Sequence, residues 1–162
     1  MVSLESKYHP GTYVSKCDGV RHCCKHNVTL DSWDGKATSF TIKKIGGDPN
    51  GYIFNDDCVS LESEYHKTTF VSKCDGVRHC CKHNVTLDSW DGAATTFKIS
   101  YVSSDVKTNY IDSESYVKLE SKYHRGTFIS KCDGVRHCCK HNVTLDTWDN
   151  DATTFKIKQC QQ

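Results

Sequence analysis

One 17-residue segment occurs three times in this chain without a single difference. It runs from Ser15 to Asp31, from Ser72 to Asp88 and from Ser130 to Asp146, so equivalent residues lie 57 and 58 positions apart. A unit of that length buries too little apolar surface to fold alone, so we expect three copies to share one core. Charged and apolar positions match equally, which means either that the duplication is recent or that each copy presents the same working surface.

Composition favours an all-β fold. The 162 residues include only six Leu, four Ala and one Met, whereas Val, Thr, Tyr and Phe, which suit a pleated sheet, are frequent. Short alternating runs are separated by turn residues, and Asp18-Gly19 is a strong hairpin signal. For the first copy we predict strands over 2–6, 12–16, roughly 20–25 and 38–42, with a longer loop over 27–35.

Four strands in each of three copies predict a β-trefoil, in which three hairpins cap a six-stranded barrel. We expect one domain over residues 1–162, with copies spanning 1–57, 58–115 and 116–162. Leu4, Val14, Phe40, Ile42 and their equivalents should form the shared core. The alternative is a three-blade solenoid or an aggregated array.

The first copy carries a pattern that resembles the trefoil repeats of fascin and hisactophilin. Its elements are Leu4-Glu5-Ser6, the run from His9 to Ser15, Asp18-Gly19-Val20, Trp33 and Phe40. This resemblance implies the same fold and an intracellular actin-bundling or scaffold function.

A second resemblance points to sugar binding. The run Asp151 to Phe155 is similar to repeats of arabinofuranose-binding carbohydrate modules, and the acid at 151 is replaced by Lys36 and Ala93 in the other copies. A sugar pocket built on that acid is therefore implied only in the third copy. The triplication, the size and the cysteine content also resemble galactose-specific lectins of marine invertebrates such as sea anemones, which implies glycans with terminal galactose as partners.

Eleven cysteines in one short chain are typical of an oxidising compartment. We therefore expect a secreted protein with a small disulfide loop in each copy, joining Cys17 to Cys23 or Cys24. Because eleven is odd, at least one thiol stays free or bridges two chains, and we expect a homodimer that such a bridge can link. The disulfide candidates are Cys17, Cys23, Cys24, Cys58, Cys74, Cys80, Cys81, Cys132, Cys138, Cys139 and Cys160.

Polar loop residues of each copy are candidates for carbohydrate binding. They combine carboxylates and amides, which suit sugar hydroxyls, with Trp33 and its equivalents, which are either sugar platforms or core residues. The third copy has the densest set of acids. The candidates are His26, Asn27, Asp31, Asp34, His83, Asn84, Asp88, Asp91, His141, Asn142, Asp146, Asp149, Asn150 and Asp151.

The linker between the first two copies is a candidate calcium site. Asp48, Asn50, Asp56 and Asp57 place oxygen atoms around a Gly-rich bend, and Ca²⁺ takes six to eight oxygen ligands. A calcium ion bound there would coordinate sugar hydroxyls directly. The alternative is a solvated acidic loop.

Several classes of function are disfavoured. Net charge is +1 with interspersed signs, so we expect no nucleic-acid partner, which needs a basic patch, and no apolar run approaches the length of a membrane span. Triplicating a catalytic constellation serves no purpose, so we expect no enzyme, whereas linked binding sites gain avidity. Secreted galactose lectin and intracellular scaffold remain, and intact disulfides would favour the first.

Overall fold

Strands of four to six residues dominate the structure, as the short alternating runs predict. The computed structural model describes residues 1–8, 10–16, 28–31, 38–48, 51–65, 67–73, 85–88, 92–102, 110–111, 114–123, 125–131, 143–146 and 151–159. The strands, in chain order, are β1 Val2–Ser6, β2 Tyr13–Lys16, β3 Val28–Asp31, β4 Phe40–Lys44, β5 Cys58–Ser63, β6 Phe70–Lys73, β7 Val85–Asp88, β8 Phe97–Tyr101, β9 Tyr116–Ser121, β10 Phe128–Lys131, β11 Val143–Asp146 and β12 Phe155–Gln159. In these ranges no helix is long and apolar enough to cross a membrane.

Six strands close into a ring in the order β1, β12, β9, β8, β5 and β4, after which β4 pairs with β1 again. The ladders between copies are the long ones, since β1–β12, β4–β5 and β8–β9 each align five residue pairs. Within a copy, β1 and β4 align one pair, whereas β5–β8 and β9–β12 align two each. The barrel is therefore built mainly by contacts between copies, and its ring leaves no open edge.

The remaining strands form three hairpins that cap the barrel. They are β2–β3, β6–β7 and β10–β11, and the second strands of all three contact one another. With the closed ring, this arrangement is a β-trefoil, so the predicted fold is confirmed.

The partner of β2 differs from the sequence prediction. The register pairs Lys16 with Val28 and Tyr13 with Asp31, so the strand opposite β2 is 28–31, within the stretch that we predicted as a loop. The β-branched residues Val28 and Thr29 suit a strand, and the Asp-Gly signal outweighed them in the prediction. The predicted strand over 20–25 lies outside the described residues.

The shared core follows the prediction closely. Leu4, Val14 and Phe40 are at most 1% exposed, and their equivalents in the other copies are buried in the same cluster. Ile42 is only partly buried and packs against the edge of that cluster. Three equivalent phenylalanines, one from each copy, thus meet in a core that no single copy encloses.

We expect Thr68→Gly to stabilise the fold. Thr68 has a φ of 68° at the position where Gly11 and Gly126 have φ values of 90° and 86°. A side chain at positive φ costs about 1–2 kcal/mol, and the extra backbone entropy of Gly offsets roughly 0.5–1 kcal/mol of that. Urea unfolding should show a net gain of about 0.5–1 kcal/mol. The control Thr69→Gly, at a residue without positive φ, should lower stability, and equal losses in both variants would contradict this account.

Candidate functional site

Each copy presents one exposed tyrosine on the turn between its first two strands. We call residues 7–12, 64–69 and 122–127 the tyrosine turns; position 9 and its equivalents 66 and 124 lie outside the described residues. Tyr8, Tyr65 and Tyr123 expose 56%, 55% and 58% of their surface. The same aromatic group is thus displayed three times around the barrel.

A glutamate from the preceding strand holds each tyrosine turn. The backbone N–H of Gly11 donates to Glu5 Oε2 (2.8 Å), that of Thr68 to Glu62 Oε2 (2.9 Å) and that of Gly126 to Glu120 Oε2 (2.8 Å). A charged acceptor makes a stronger bond than a neutral one. Each glutamate therefore ties its turn to the strand that precedes it.

The other oxygen of each glutamate faces a lysine from the neighbouring copy. Glu62 Oε1 lies 2.8 Å from Lys43 Nζ, while Glu5 and Glu120 lie 3.5 Å from Lys158 and Lys98. The Lys43 hydrogen bond, with the Thr68 N–H, holds the pKa of Glu62 below its usual value. One carboxylate thus links a turn, its own strand and the adjacent copy.

Each tyrosine turn also contacts the end of the preceding copy. The backbone N–H of Lys7 donates to the Thr154 carbonyl (3.0 Å), and Glu64 and Lys122 repeat this bond with Ser39 and Thr96. Where the third copy meets the first, Asp151 begins a short 3₁₀ turn, and its Oδ1 lies 3.4 Å from Lys7 Nζ. The structure therefore brings the predicted sugar residue Asp151 next to the turn that carries Tyr8.

Three of the other predicted sugar residues lie within the described ranges. Asp31, Asp88 and Asp146 end β3, β7 and β11, opposite Tyr13, Phe70 and Phe128 in the register. They are strand residues rather than loop residues as predicted, because the hairpin strands begin later in the chain. The remaining candidates lie outside the described residues: His26, Asn27, Asp34, His83, Asn84, Asp91, His141, Asn142, Asp149 and Asn150.

The predicted calcium ligands are not seen to converge. Asp57 Oδ2 accepts the Phe54 N–H (2.8 Å) and lies 3.3 Å from Lys44 Nζ, so that oxygen is already occupied. In the described ranges no three His, Cys, Asp or Glu side chains come together to hold a metal ion. Asp48 and Asp56 are exposed, and Asn50 lies outside those ranges.

The linker instead packs aromatic side chains. The ring centroids of Tyr52 and Tyr110 lie 4.7 Å apart, and the backbones of Phe54 and Tyr110 form an isolated antiparallel β-bridge. The Ile111 N–H donates to the Ile53 carbonyl, which ties the two linkers together (2.6 Å). This contact joins the segments that connect the copies.

Cys58 is the cysteine that the described ranges contain, and its thiol is free and half-buried. The other ten disulfide candidates lie outside those ranges, so the predicted disulfide loops stay predictions. A free thiol at one of the two cysteines outside the repeated segment agrees with the odd cysteine count.

The tyrosine turns were not identified as candidate sites from the sequence, because its pattern predicted only that these residues form turns. A signal was present, because Tyr followed by His recurs at equivalent positions of all three copies in an otherwise polar stretch. An aromatic residue repeated in a polar turn, away from the alternating strand pattern, indicates exposure rather than burial.

Comparison with known proteins supports the fold. No protein-family model matches the chain, and no curated protein matches it. Among solved structures, the designed threefold-symmetric protein ThreeFoil is similar with a TM-score of 0.67 and 13% identity, covering 98% of this chain and 97% of that one. The SDF2-like protein from Arabidopsis thaliana has a TM-score of 0.73 and 8% identity, covering 98% and 91%.

A third similar structure is an arabinofuranosidase complexed with arabinofuranosyl-alpha-1,2-xylobiose. Its TM-score is 0.62 at 13% identity, and the match covers 98% of this chain and 30% of that one. At such identities the likeness shows the fold alone. The chain is a β-trefoil protein, and the resemblance to arabinofuranose-binding modules is supported at the level of that fold.

We expect the Glu62 ion pair to contribute stability that acid removes. Because the pKa of Glu62 is lowered on folding, its contribution is present above the unfolded carboxyl pKa of about 4.3 and is lost as the pH falls through the folded value. Glu62→Gln should cost about 0.5–1 kcal/mol at pH 7 in urea unfolding, with the difference from wild type shrinking towards pH 3. Glu64→Gln, which removes a turn carboxylate but keeps the Lys43 pair, is the control. A Glu62→Gln deficit that does not change with pH would refute the assignment.

Proposed function

We propose that the protein is a secreted, non-enzymatic lectin that binds glycans through its tyrosine turns. The observation that carries this proposal is the threefold display of Tyr8, Tyr65 and Tyr123 at matched exposure. An aromatic ring packs well against the apolar face of a sugar. Because a glutamate already fixes each turn, little ordering free energy opposes binding.

The turn at the boundary of the third and first copies has the most complete set of groups. Asp151 and Lys7 keep 62% and 40% of their side chains exposed, so both remain accessible to a ligand at this turn. A carboxylate accepts hydrogen bonds and an ammonium donates them, and sugar hydroxyls do both. This boundary therefore supplies an acceptor, a donor and an aromatic face at one tyrosine turn and the copy that precedes it.

Repetition strengthens the proposal. Three linked sites of modest affinity bind a multivalent glycan surface far more tightly than one site does. A solved structure of similar fold belongs to an arabinofuranosidase that was complexed with a sugar, which supports sugar binding as a use of this fold. Terminal galactose and secretion enter the proposal from the resemblance to marine lectins and from the cysteine content.

The glycan proposal is tested by an array screen followed by variants. Tyr8→Ala and Asp151→Asn should each weaken binding to a galactose-coated surface by roughly tenfold, and the triple Tyr8, Tyr65 and Tyr123→Ala variant should abolish it, because avidity falls with each lost site. Tyr52→Ala is the control, since it removes an aromatic ring that is 69% exposed but lies in the linker.

Two further arms address the acidic residues from the sequence analysis. The double variants Asp149→Ala with Asp151→Ala, and Asp56→Ala with Asp57→Ala, separate the third-copy acids from the linker. If calcium bridges the sugar, EDTA reproduces the loss seen in the linker double variant. Normal binding by every variant would refute the assigned sites. Absence of glycan binding in the wild type, with free thiols throughout, would favour the intracellular scaffold.

A covalent homodimer is the second part of the proposal. Cys58 is half-buried at a strand start, which disfavours a bridge to another chain, so of the two cysteines outside the repeated segment Cys160 is the candidate for that bridge. Non-reducing electrophoresis should show a dimer band that Cys160→Ser removes and Cys58→Ser retains. A monomer band that reductant does not change would refute the covalent dimer.

A further inference from the structure

A cavity of about 320 Å³ lies where the second copy meets the third. It opens between the start of β5, the start of β8 and the tyrosine turn that follows β9. Its lining residues are Cys58, Lys98, Glu120, Ser121, Lys122 and Arg125. Three of these side chains are cationic and one is anionic.

The equivalent place at the boundary of the third and first copies holds a tyrosine ring. Tyr116 occupies the position that Cys58 has in the second copy, and the register pairs each with an equivalent lysine, Lys156 or Lys98. Lys7 Nζ and Lys156 Nζ lie 5.2 Å and 5.7 Å from the centroid of the Tyr116 ring. The cavity exists because a small thiol replaces that ring between two equivalent lysines.

The charges at the two boundaries differ as well. At the filled boundary, Lys7 pairs with Asp151 (3.4 Å) and Lys156 with Glu114 (2.6 Å). At the cavity, the equivalent of Asp151 is Ala93, so Lys122 loses the acid that neutralises Lys7. Replacement of Pro10 by Arg125 adds a further cation at the same turn.

The carboxylate of the cavity is already engaged. Glu120 Oε2 accepts the Gly126 N–H and Oε1 faces Lys98 (3.5 Å). Among the described residues, no ion pair involves Lys122 or Arg125. Two cationic side chains therefore face the opening beside a satisfied carboxylate, in a chain whose net charge is only +1.

The remaining boundary, between the first and second copies, lacks this combination. Met1 stands in place of Cys58, and Thr41 in place of Lys98. The acid Glu64 replaces Lys122 and lies 3.6 Å from Lys67, the equivalent of Arg125. Within the described ranges, the cationic cavity thus belongs to the boundary of the second and third copies.

We propose that this cavity binds the sulfate or carboxylate group of an acidic sugar. Arg presents paired donors that match the oxygens of such a group, and Lys adds a point charge. The cavity admits the charged substituent while the sugar ring extends over the neighbouring tyrosine turn. The sugar part of this proposal rests on the proposed lectin function, whereas the oxyanion part stands on the cavity alone.

The oxyanion part is tested with inorganic sulfate by titration calorimetry at constant ionic strength. The wild type should bind sulfate, and Cys58→Tyr should weaken binding at least roughly tenfold, because the ring that fits at position 116 fills the cavity. Lys122→Ala with Arg125→Ala should do the same without altering the core. The control is Lys67→Ala, at the position of the second copy that is equivalent to Arg125. This variant should bind sulfate as the wild type does.

The sugar part is tested with galactose 6-sulfate, galacturonic acid and galactose. The wild type should prefer the two acidic sugars by roughly tenfold. Lys122→Ala with Arg125→Ala should remove that preference, while galactose binding persists through the unaltered turns that carry Tyr8 and Tyr65.

The two proposals fail in different ways. Sulfate binding that is absent in the wild type, or unchanged in Cys58→Tyr and in the double variant, overturns the cavity proposal, even if galactose binds. Sulfate binding at the cavity without binding of any sugar upholds the oxyanion site and overturns the lectin function. An equal affinity for acidic and neutral sugars overturns the acidic-sugar specificity.

Discussion

Closure of the barrel by ladders between copies is the constraint on which the rest of the structure depends. The ladders β1–β12, β4–β5 and β8–β9 each align five pairs, while pairing within a copy is shorter. A copy that folded alone would leave these edges open and Phe40, Phe97 or Phe155 without a surrounding core. Core positions must therefore stay nearly equivalent in all three copies, since each copy contributes side chains to the same apolar core.

The same constraint leaves the boundaries between copies free to differ. Each boundary is built from equivalent backbone hydrogen bonds between a tyrosine turn and the preceding copy, so its geometry survives changes of side chain. Exchange of Tyr116 for Cys58, and of Asp151 for Ala93, changes a filled and neutralised boundary into an open and cationic one. A threefold scaffold thereby presents different side-chain chemistry at boundaries that have equivalent backbone geometry.

The glutamate anchors explain how such exposed turns remain ordered. Glu5, Glu62 and Glu120 each hold a turn amide and face a lysine of the adjacent copy. These carboxylates lie at the barrel surface, where an ion pair alone contributes little, but the added backbone bond makes each one a three-way connection. The turn in the second copy keeps this bond even though Thr68 replaces glycine at positive φ.

The sequence by itself determined the all-β trefoil and its core. The threefold repeat and the alternation of apolar and polar residues around Leu4, Val14 and Phe40 are both properties of the linear chain. It did not determine that β2 pairs with Val28–Asp31, since strand partners are chosen by packing over long sequence separations. It also placed Asp151 in a candidate site without revealing its neighbours. Only the tertiary structure decided that Asp151 meets Lys7 and that Cys58 lines a cavity with Lys98 and Lys122, because chain closure brings residues from different copies together.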